Sequence, residues 1–211
     1  MSSSVVVVPS APLLLPEYTG RQDVGADLRA RCVDAIRAAT DADGTDRVVL
    51  VVATDREQRG TRPPLGQRVG RHLAGLAGVG VDGMVVVAWD APTAECRALG
   101  RHLSARPAAT LVVVADGSAR RGEKAPGHLD ERAAAVDESI VSALRAADAD
   151  ALLALDPAVC ADLLAQGRAP LQVAASVMAA RGGLTCEALD VSDPYGVLYV
   201  VARLTPPITA P

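Results

Sequence analysis

The chain has 211 residues, of which 50% are apolar, and its 21 basic and 25 acidic residues give a net charge of −4. This length supports one sizeable hydrophobic core and favours a single domain over residues 1–211. The chain contains no basic run and few aromatic residues, with no Phe, one Trp and three Tyr. These features argue against nucleic acid as a partner.

The amino-terminal segment and the cysteines both bear on location. The apolar start lacks the basic residues of a signal peptide, and Pro9 and Pro12 interrupt it. No segment approaches the roughly 20 apolar residues that cross a bilayer. The cysteines are widely spaced without a CxxC pair, at Cys32, Cys96, Cys160 and Cys186. Such thiols are typical of a reducing compartment, so we expect a cytoplasmic protein without disulfide bonds. The Ala and Arg bias is typical of a GC-rich bacterial genome.

Apolar runs and helical patterns alternate along the chain. Valine-rich runs predict strands at residues 5–8, 47–53, 84–89, 110–115, 184–189 and 197–204. Amphipathic patterns predict helices at residues 23–41, 65–76, 92–105, 129–147, 157–166 and 170–181. The strand runs are continuously apolar, which indicates burial on both faces of a sheet. The pattern predicts an α/β, three-layer, single-domain sandwich with a mostly parallel mixed sheet and helices on both faces.

Local signals mark several boundaries. Asp156 before Pro157 predicts an N-cap and a first helical residue, and Gly182 predicts a helix end. Residues 193–196 read Asp-Pro-Tyr-Gly, a tight-turn sequence that predicts an antiparallel carboxyl-terminal hairpin. The tail at residues 205–211 is expected to fray.

The segment at residues 111–137 carries the strongest site signal. A buried strand opens there into a loop that contains Asp116 and Ser118, before the next helix. Ligands of open α/β sheets bind beyond the carboxyl ends of the strands, so this loop is expected to border a pocket. His128 lies in the same loop, where a histidine can act as acid, base or metal ligand. His72 and His102 lie in helical patterns and are expected to be structural.

Common nucleotide and hydrolase motifs are missing from the sequence. Neither GxxxxGK[ST] nor a GxGxxG that opens a helix occurs, so no phosphate cradle is indicated. No GxSxG nucleophile elbow is present either.

Four segments in order carry a resemblance to a known family. These are VVVVPSAPLLLPEYTG at the amino terminus, the strand at residues 48–53, ADGSARRG with the downstream AVDESIVSAL, and DPYGVLYVVARL near the end. Together they span most of the chain. They resemble the class III extradiol ring-cleavage dioxygenase superfamily, in the group that includes the protocatechuate 4,5-dioxygenase β subunit and Memo-like proteins.

The resemblance implies a site with Fe(II), two histidine ligands, one carboxylate ligand and an acid/base histidine. This chain has Ser10-Ala11-Pro12 where the family has the first histidine, and Thr54-Asp55 where it has the second. Residues 115–119 replace the acid/base loop without a histidine. The carboxylate ligand is left open among Glu187, Asp190 and Asp193. Fe(II) is therefore implied by the resemblance, but its ligands are not matched in this chain.

Three hypotheses follow for function. The first is a member of this superfamily with a degenerate iron site, which is not an enzyme and uses its cleft to bind a small molecule or a partner protein. The expected pocket residues are Ser10, Asp55, Asp116, Ser118, His128 and Tyr195.

The second hypothesis is an enzyme with altered chemistry, in which Asp116 and His128 are catalytic. Asp55, Asp116 and His128 then group around Mn²⁺, Mg²⁺ or Zn²⁺, with Asp55 and His128 as the candidate ligands, or they form a metal-free acid/base pair. Asp116 works as a base if burial raises its pKa. The third hypothesis is a structural or assembly protein, in which Asp116 and Ser118 only form turn hydrogen bonds. The alanine-rich helix at residues 132–147 is then a candidate surface for a homo-oligomer.

Overall fold

A computed structural model describes residues 3–57, 60–106 and 109–207. The strands are β1 Val5–Val8, β2 Arg47–Ala53, β3 Gly80–Val87, β4 Thr110–Val114, β5 Thr185–Ser192 and β6 Tyr199–Thr205. The helices are α1 Ala26–Asp43, α2 Leu65–Ala77, α3 Thr93–Ser104, α4 Arg132–Ala146, α5 Ala149–Leu153, α6 Pro157–Asp162 and α7 Arg168–Arg181. No helix in these ranges is long and apolar enough to cross a membrane.

All six strands form one mixed sheet in the order β3-β2-β4-β1-β6-β5. The pairs β2 with β3, β2 with β4 and β1 with β4 are parallel. The pairs β1 with β6 and β5 with β6 are antiparallel. The predicted α/β class, with a mostly parallel sheet that ends in an antiparallel hairpin, is confirmed.

Alternate residues of the central strands face two separate hydrophobic layers. Val5 and Val7 of β1 pack with the layer that includes α3 to α7, whereas Val6 and Val8 pack with the layer that includes α1 and α2. Both layers need apolar side chains, so β1 reads as four consecutive valines rather than as an alternating pattern. The continuous apolar runs thus reflect a sheet covered on both faces.

Several predicted caps and turns are confirmed. The Asp156 carboxylate accepts hydrogen bonds from the backbone N–H groups of Ala158 and Val159 at the start of α6. Gly182 follows α7 with a φ of 68°. The Gly196 N–H donates to the Asp193 carbonyl at 3.0 Å and closes the hairpin turn.

Other boundaries differ from the prediction. Strand β3 begins at Gly80 rather than at residue 84. The polar Asp82 interrupts the apolar run in the sequence, and in the structure it lies at a register shift between β2 and β3 and forms an ion pair with Arg47. The predicted fraying tail starts at residue 205, but Thr205 pairs with Thr185 as the last residue of β6. Residues 208–211 of that tail lie outside the described residues. Helix α5, Ala149–Leu153, lies between the predicted helices at residues 129–147 and 157–166, where no element is predicted.

The chain leaves β1 and β4 toward opposite faces of the sheet. Helix α1, which follows β1, packs in one layer, and helix α4, which follows β4, packs in the other. Because β1 and β4 are adjacent and parallel, their carboxyl ends border a crevice that no crossover helix fills. This topological switch point is where open α/β sheets bind ligands.

Candidate ligand cavity

A cavity of about 300 Å³ opens at this switch point. It lies beyond the carboxyl ends of β1, β2 and β4, and its volume is at the lower end of the range for small-molecule sites. Its walls are mostly apolar, with Ala11, Ala53, Val114 and Val197 among the lining residues. Four of the six predicted pocket residues line it: Ser10, Asp55, Asp116 and Tyr195.

Asp116 is the central polar group of the cavity. Its Oδ1 accepts a hydrogen bond from the Ser10 backbone N–H at 2.7 Å, which joins the loops that follow β4 and β1. Burial among apolar walls disfavours the charged carboxylate, and the single N–H donor only partly offsets this effect. The pKa of Asp116 is therefore raised to about 7. Within the described residues, Asp116 Oδ2 has no hydrogen-bond donor and is available to a ligand.

Tyr199 brings a second polar group to the cavity wall. It is the first residue of β6, it lines the cavity, and its side chain is buried. Burial raises the pKa of Tyr199, and the nearby Asp116 charge raises it further. No described residue accepts a hydrogen bond from its hydroxyl group. The phenol is thus a neutral donor on the wall of the same cavity as a carboxyl group that can change its charge.

Asp55, at the cavity wall, caps the start of helix α2. Its Oδ1 accepts a hydrogen bond from the Leu65 backbone N–H at 2.9 Å, at the first residue of α2. The helix has no side-chain cap from its own N-cap residue, Pro64, so Asp55 supplies one from a distance. Next to it, the Thr54 hydroxyl accepts the Trp89 N–H at 3.1 Å. These bonds fix the loop that follows β2.

Tyr195 lies at the cavity rim, with 47% of its surface exposed. Arg121 holds the turn that carries Tyr195. Its Nε lies 2.8 Å from the Asp193 carboxylate, and its Nη1 lies 3.0 Å from the carboxylate of the buried Asp137. The Arg121 backbone N–H also donates to the Gly196 carbonyl. The loop after β4 therefore positions the rim of the cavity.

Ser118 and His128 do not line the cavity. Ser118 is fully buried, and its hydroxyl donates to the Leu163 carbonyl at 2.8 Å. Its backbone N–H donates to Asp137 at 2.7 Å, so the serine anchors the loop from inside. His128 is exposed, with a φ of 57° that turns the chain after Gly127. The grouping of Asp55, Asp116 and His128 around one ligand is therefore not found.

The donor set does not fit an Fe(II) site. No histidine lines the cavity in the described ranges, and no three His, Cys, Asp or Glu side chains within them are arranged as metal ligands. The three carboxylates considered for the family's ligand each form an ion pair instead: Glu187 with Arg203, Asp190 with Arg31, and Asp193 with Arg121. Hydroxyl, carbonyl and carboxylate oxygens, the donors that line this cavity, are weak ligands for iron compared with imidazole.

Sequence reasoning missed the loop between α6 and α7. Leu164, Gln166 and Gly167 line the cavity, and Leu164 has a φ of 57°. A Cβ atom on Gly167 would lie 2.1 Å from the Asp116 carbonyl oxygen, so only glycine allows this close approach. The glycine is visible in the sequence, but its contact with Asp116 joins distant segments and has no local signal.

A larger and more open chamber of about 810 Å³ adjoins this cavity. The two share several lining residues, among them Pro12, Asp55 and Leu164. The chamber differs in charge, because three arginines line it: Arg56, Arg62 and Arg68. We refer to the first space as the inner cavity and to the second as the outer chamber.

The fold and cavity together define an α/β protein with a switch-point cleft. A search with protein-family models found no match to this chain. A search of curated proteins found no match either.

Proposed function

We propose that this protein binds a small, largely apolar molecule in the inner cavity, with Asp116 as its polar anchor. The observation that carries the proposal is a carboxyl group at a topological switch point with one fixed and one available oxygen. Sites of this kind combine apolar walls with a few well-placed polar groups. At neutral pH the Asp116 carboxyl can either donate or accept a hydrogen bond, because its pKa is about 7.

Binding of a neutral probe tests this proposal. N-phenyl-1-naphthylamine is apolar, carries one N–H donor, and fluoresces when it leaves water. We expect saturable binding by the intact chain, together with an increase in the melting temperature. Ala53→Leu places extra volume at a lining position and should abolish binding. Ala135→Leu makes the same change at an exposed position of α4 and should not. Equal binding by the two variants would contradict the proposal.

A second candidate function is proton transfer on a carbonyl compound. The observation that favours it is that Asp116 and Tyr199 line the same cavity. Asp116 in its charged form would take a proton from carbon next to the carbonyl group. The electron pair of the broken C–H bond would move to the carbonyl oxygen, which the Tyr199 hydroxyl would stabilise.

Exchange of phenylacetone protons for deuterium tests this second function. The reaction in D₂O is followed by proton NMR with the wild-type chain, Asp116→Asn and Tyr199→Phe. We expect the wild-type chain to exchange these protons faster than buffer alone. Asp116→Asn should remove this excess exchange, and Tyr199→Phe should reduce it. Exchange at the buffer rate with the wild-type chain would leave ligand binding as the function.

We also propose that the chain is a divergent member of the class III extradiol dioxygenase superfamily that has lost its iron site. The support is the order of the four resembling segments. All four contribute to the cavity, through Ser10 and Ala11, Ala53, Asp116, and Tyr195 with Tyr199. The thiols of the described cysteines are free, which supports a cytoplasmic location. Elemental analysis of protein purified without a chelator or an affinity tag should find no stoichiometric iron, and stoichiometric iron would contradict the proposed loss.

A further inference from the structure

The outer chamber presents positive charge in a prearranged form. The Arg56 guanidinium lies over the Trp89 ring, 5.7 Å from its centroid. The Arg68 guanidinium lies over the Tyr18 ring at 5.6 Å. Stacking on an aromatic face restricts a guanidinium and leaves its N–H edge for hydrogen bonds in the plane. Arg62 lines the same chamber with its side chain exposed.

The acidic groups around the chamber interact with other groups of the protein. Glu17 pairs with Arg68, and this hydrogen bond is the main reason that the pKa of Glu17 is lowered, with a smaller contribution from the charge of Arg62. Asp55 caps α2. Glu57, which also lines the chamber, has an interaction partner as well.

Arg56 and Arg62 differ from Arg68, which forms an ion pair with Glu17. Within the part of the chain that the structure describes, neither has a carboxylate at ion-pair distance. Their N–H donors therefore face the chamber without an ion-pair partner from these residues. A planar guanidinium with open donors matches the two oxygens of a carboxylate, or those of a sulfonate or phosphate.

The inner cavity and outer chamber are continuous, since Asp55, Leu65 and Leu164 line both. We propose that the outer chamber is a subsite for the anionic group of an amphiphilic organic anion, with Arg56 and Arg62 as its binding residues. The apolar body of that ligand lies in the inner cavity, so this inference rests on the proposed function. It adds the class of ligand that the apolar walls alone do not specify.

Two probes with the same aromatic skeleton separate the subsite from the cavity. One is N-phenyl-1-naphthylamine, which is neutral, and the other is 8-anilino-1-naphthalenesulfonate, which adds a sulfonate. The test variant is Arg56→Gln with Arg62→Gln. The control is Arg145→Gln, which removes an exposed charge from α4 outside both spaces.

We expect the double variant to bind the sulfonate about tenfold more weakly, the loss typical of one charge-assisted hydrogen-bond contact. Its affinity for the neutral probe should change less than about twofold, and the control should bind both probes as the wild type does. Circular dichroism confirms that each variant is folded. Sulfonate affinity should also fall as salt is raised, because exposed charges are screened.

The outcomes distinguish the two proposals. An unchanged sulfonate affinity in the folded double variant overturns the anion subsite and leaves the inner cavity in place. An equal loss of affinity for both probes overturns it as well, because the arginines would then stabilise the cavity rather than bind the sulfonate group. Failure of the wild-type chain to bind either probe contradicts the inner cavity itself, and with it the ligand assigned to both spaces.

Discussion

Two aspartates join the same pair of strands at opposite ends, and they differ in how they are bonded. At the amino ends of β1 and β4, Asp43 accepts hydrogen bonds from the Ser4 N–H at 2.8 Å, the Ser4 hydroxyl at 2.8 Å and the Thr110 hydroxyl at 2.5 Å. At the carboxyl ends, Asp116 accepts one, from the Ser10 N–H. A carboxylate that accepts several hydrogen bonds from protein groups stabilises the fold. A carboxylate with one oxygen unbonded in an apolar cavity destabilises the fold, but that oxygen can bind a ligand.

The largest expected effect concerns the bonded end. Asp43→Ala removes three hydrogen bonds and leaves the buried Ser4 and Thr110 hydroxyls without this acceptor. We expect the free energy of unfolding at pH 7, measured in urea, to fall by about 3 kcal/mol. Asp41→Ala, at an exposed position of the same helix, should change it by less than about 0.5 kcal/mol. A similar small effect of both variants would contradict the contrast between the two ends.

The next effect concerns the opposite end and depends on pH. The pKa of Asp116 is about 7 in the folded chain and near 3.8 when exposed, so the folded state binds more protons between these values. Stability from this group is thus present at pH 4 and lost as pH rises through 7. Asp116→Asn keeps an acceptor for Ser10 but removes the charge.

The full shift corresponds to about 4 kcal/mol, but Asp116 is partly exposed to solvent, which screens its charge. We therefore expect Asp116→Asn to be more stable than the wild type by about 2 kcal/mol at pH 8, with the advantage vanishing near pH 4. Urea unfolding across this pH range measures the difference. Asp150→Asn, at an exposed position in α5, serves as the control and should follow the wild type throughout. Parallel curves for Asp116→Asn and the wild type would show that Asp116 is not desolvated.

A smaller effect is expected at Asp55, a carboxylate of the cavity wall that caps a helix. Asp55→Ala removes the acceptor of the Leu65 N–H and should lower the free energy of unfolding by about 1 kcal/mol, as loss of a helix cap does. Asp55→Asn retains an oxygen acceptor and should lower it by less than about 0.5 kcal/mol. Equal losses in the two variants would indicate a role for the Asp55 charge instead of the cap.

The smallest stability effect is expected at the rim. Tyr195 is half exposed, so Tyr195→Ala should change the free energy of unfolding by less than about 0.5 kcal/mol. Its ring borders the inner cavity, and its removal should weaken binding of N-phenyl-1-naphthylamine about threefold through lost apolar contact. Fluorescence titration measures the affinity. An unchanged affinity would exclude the rim from the binding site.

The sequence is sufficient to predict the sheet and part of the cavity. The four valines of β1 and the Asp-Pro-Tyr-Gly turn are local signals of a covered strand and a hairpin. Asp116 follows a strand directly, so the rule for carboxyl strand ends is enough to place it near a pocket. These predictions need only neighbouring residues.

Other features depend on contacts between distant segments. Ser118 has the same sequence context as Asp116, but its side chain points to the Leu163 carbonyl, 45 residues away. Tyr199 reaches the cavity only because β6 pairs with β1. Arg56 and Trp89 meet because β2 and β3 are neighbours. None of these contacts leaves a periodic or local pattern.

Titration of the Asp116 side-chain carboxyl by carbon NMR, with and without N-phenyl-1-naphthylamine, tests whether Asp116 is the desolvated anchor of the inner cavity. We expect a pKa near 7 for the free protein and a higher pKa in the complex, because a neutral ligand displaces water and further disfavours the charged form. A pKa near 4 that is unaffected by the probe would contradict this role, since Asp116 would then be solvated and remote from any ligand.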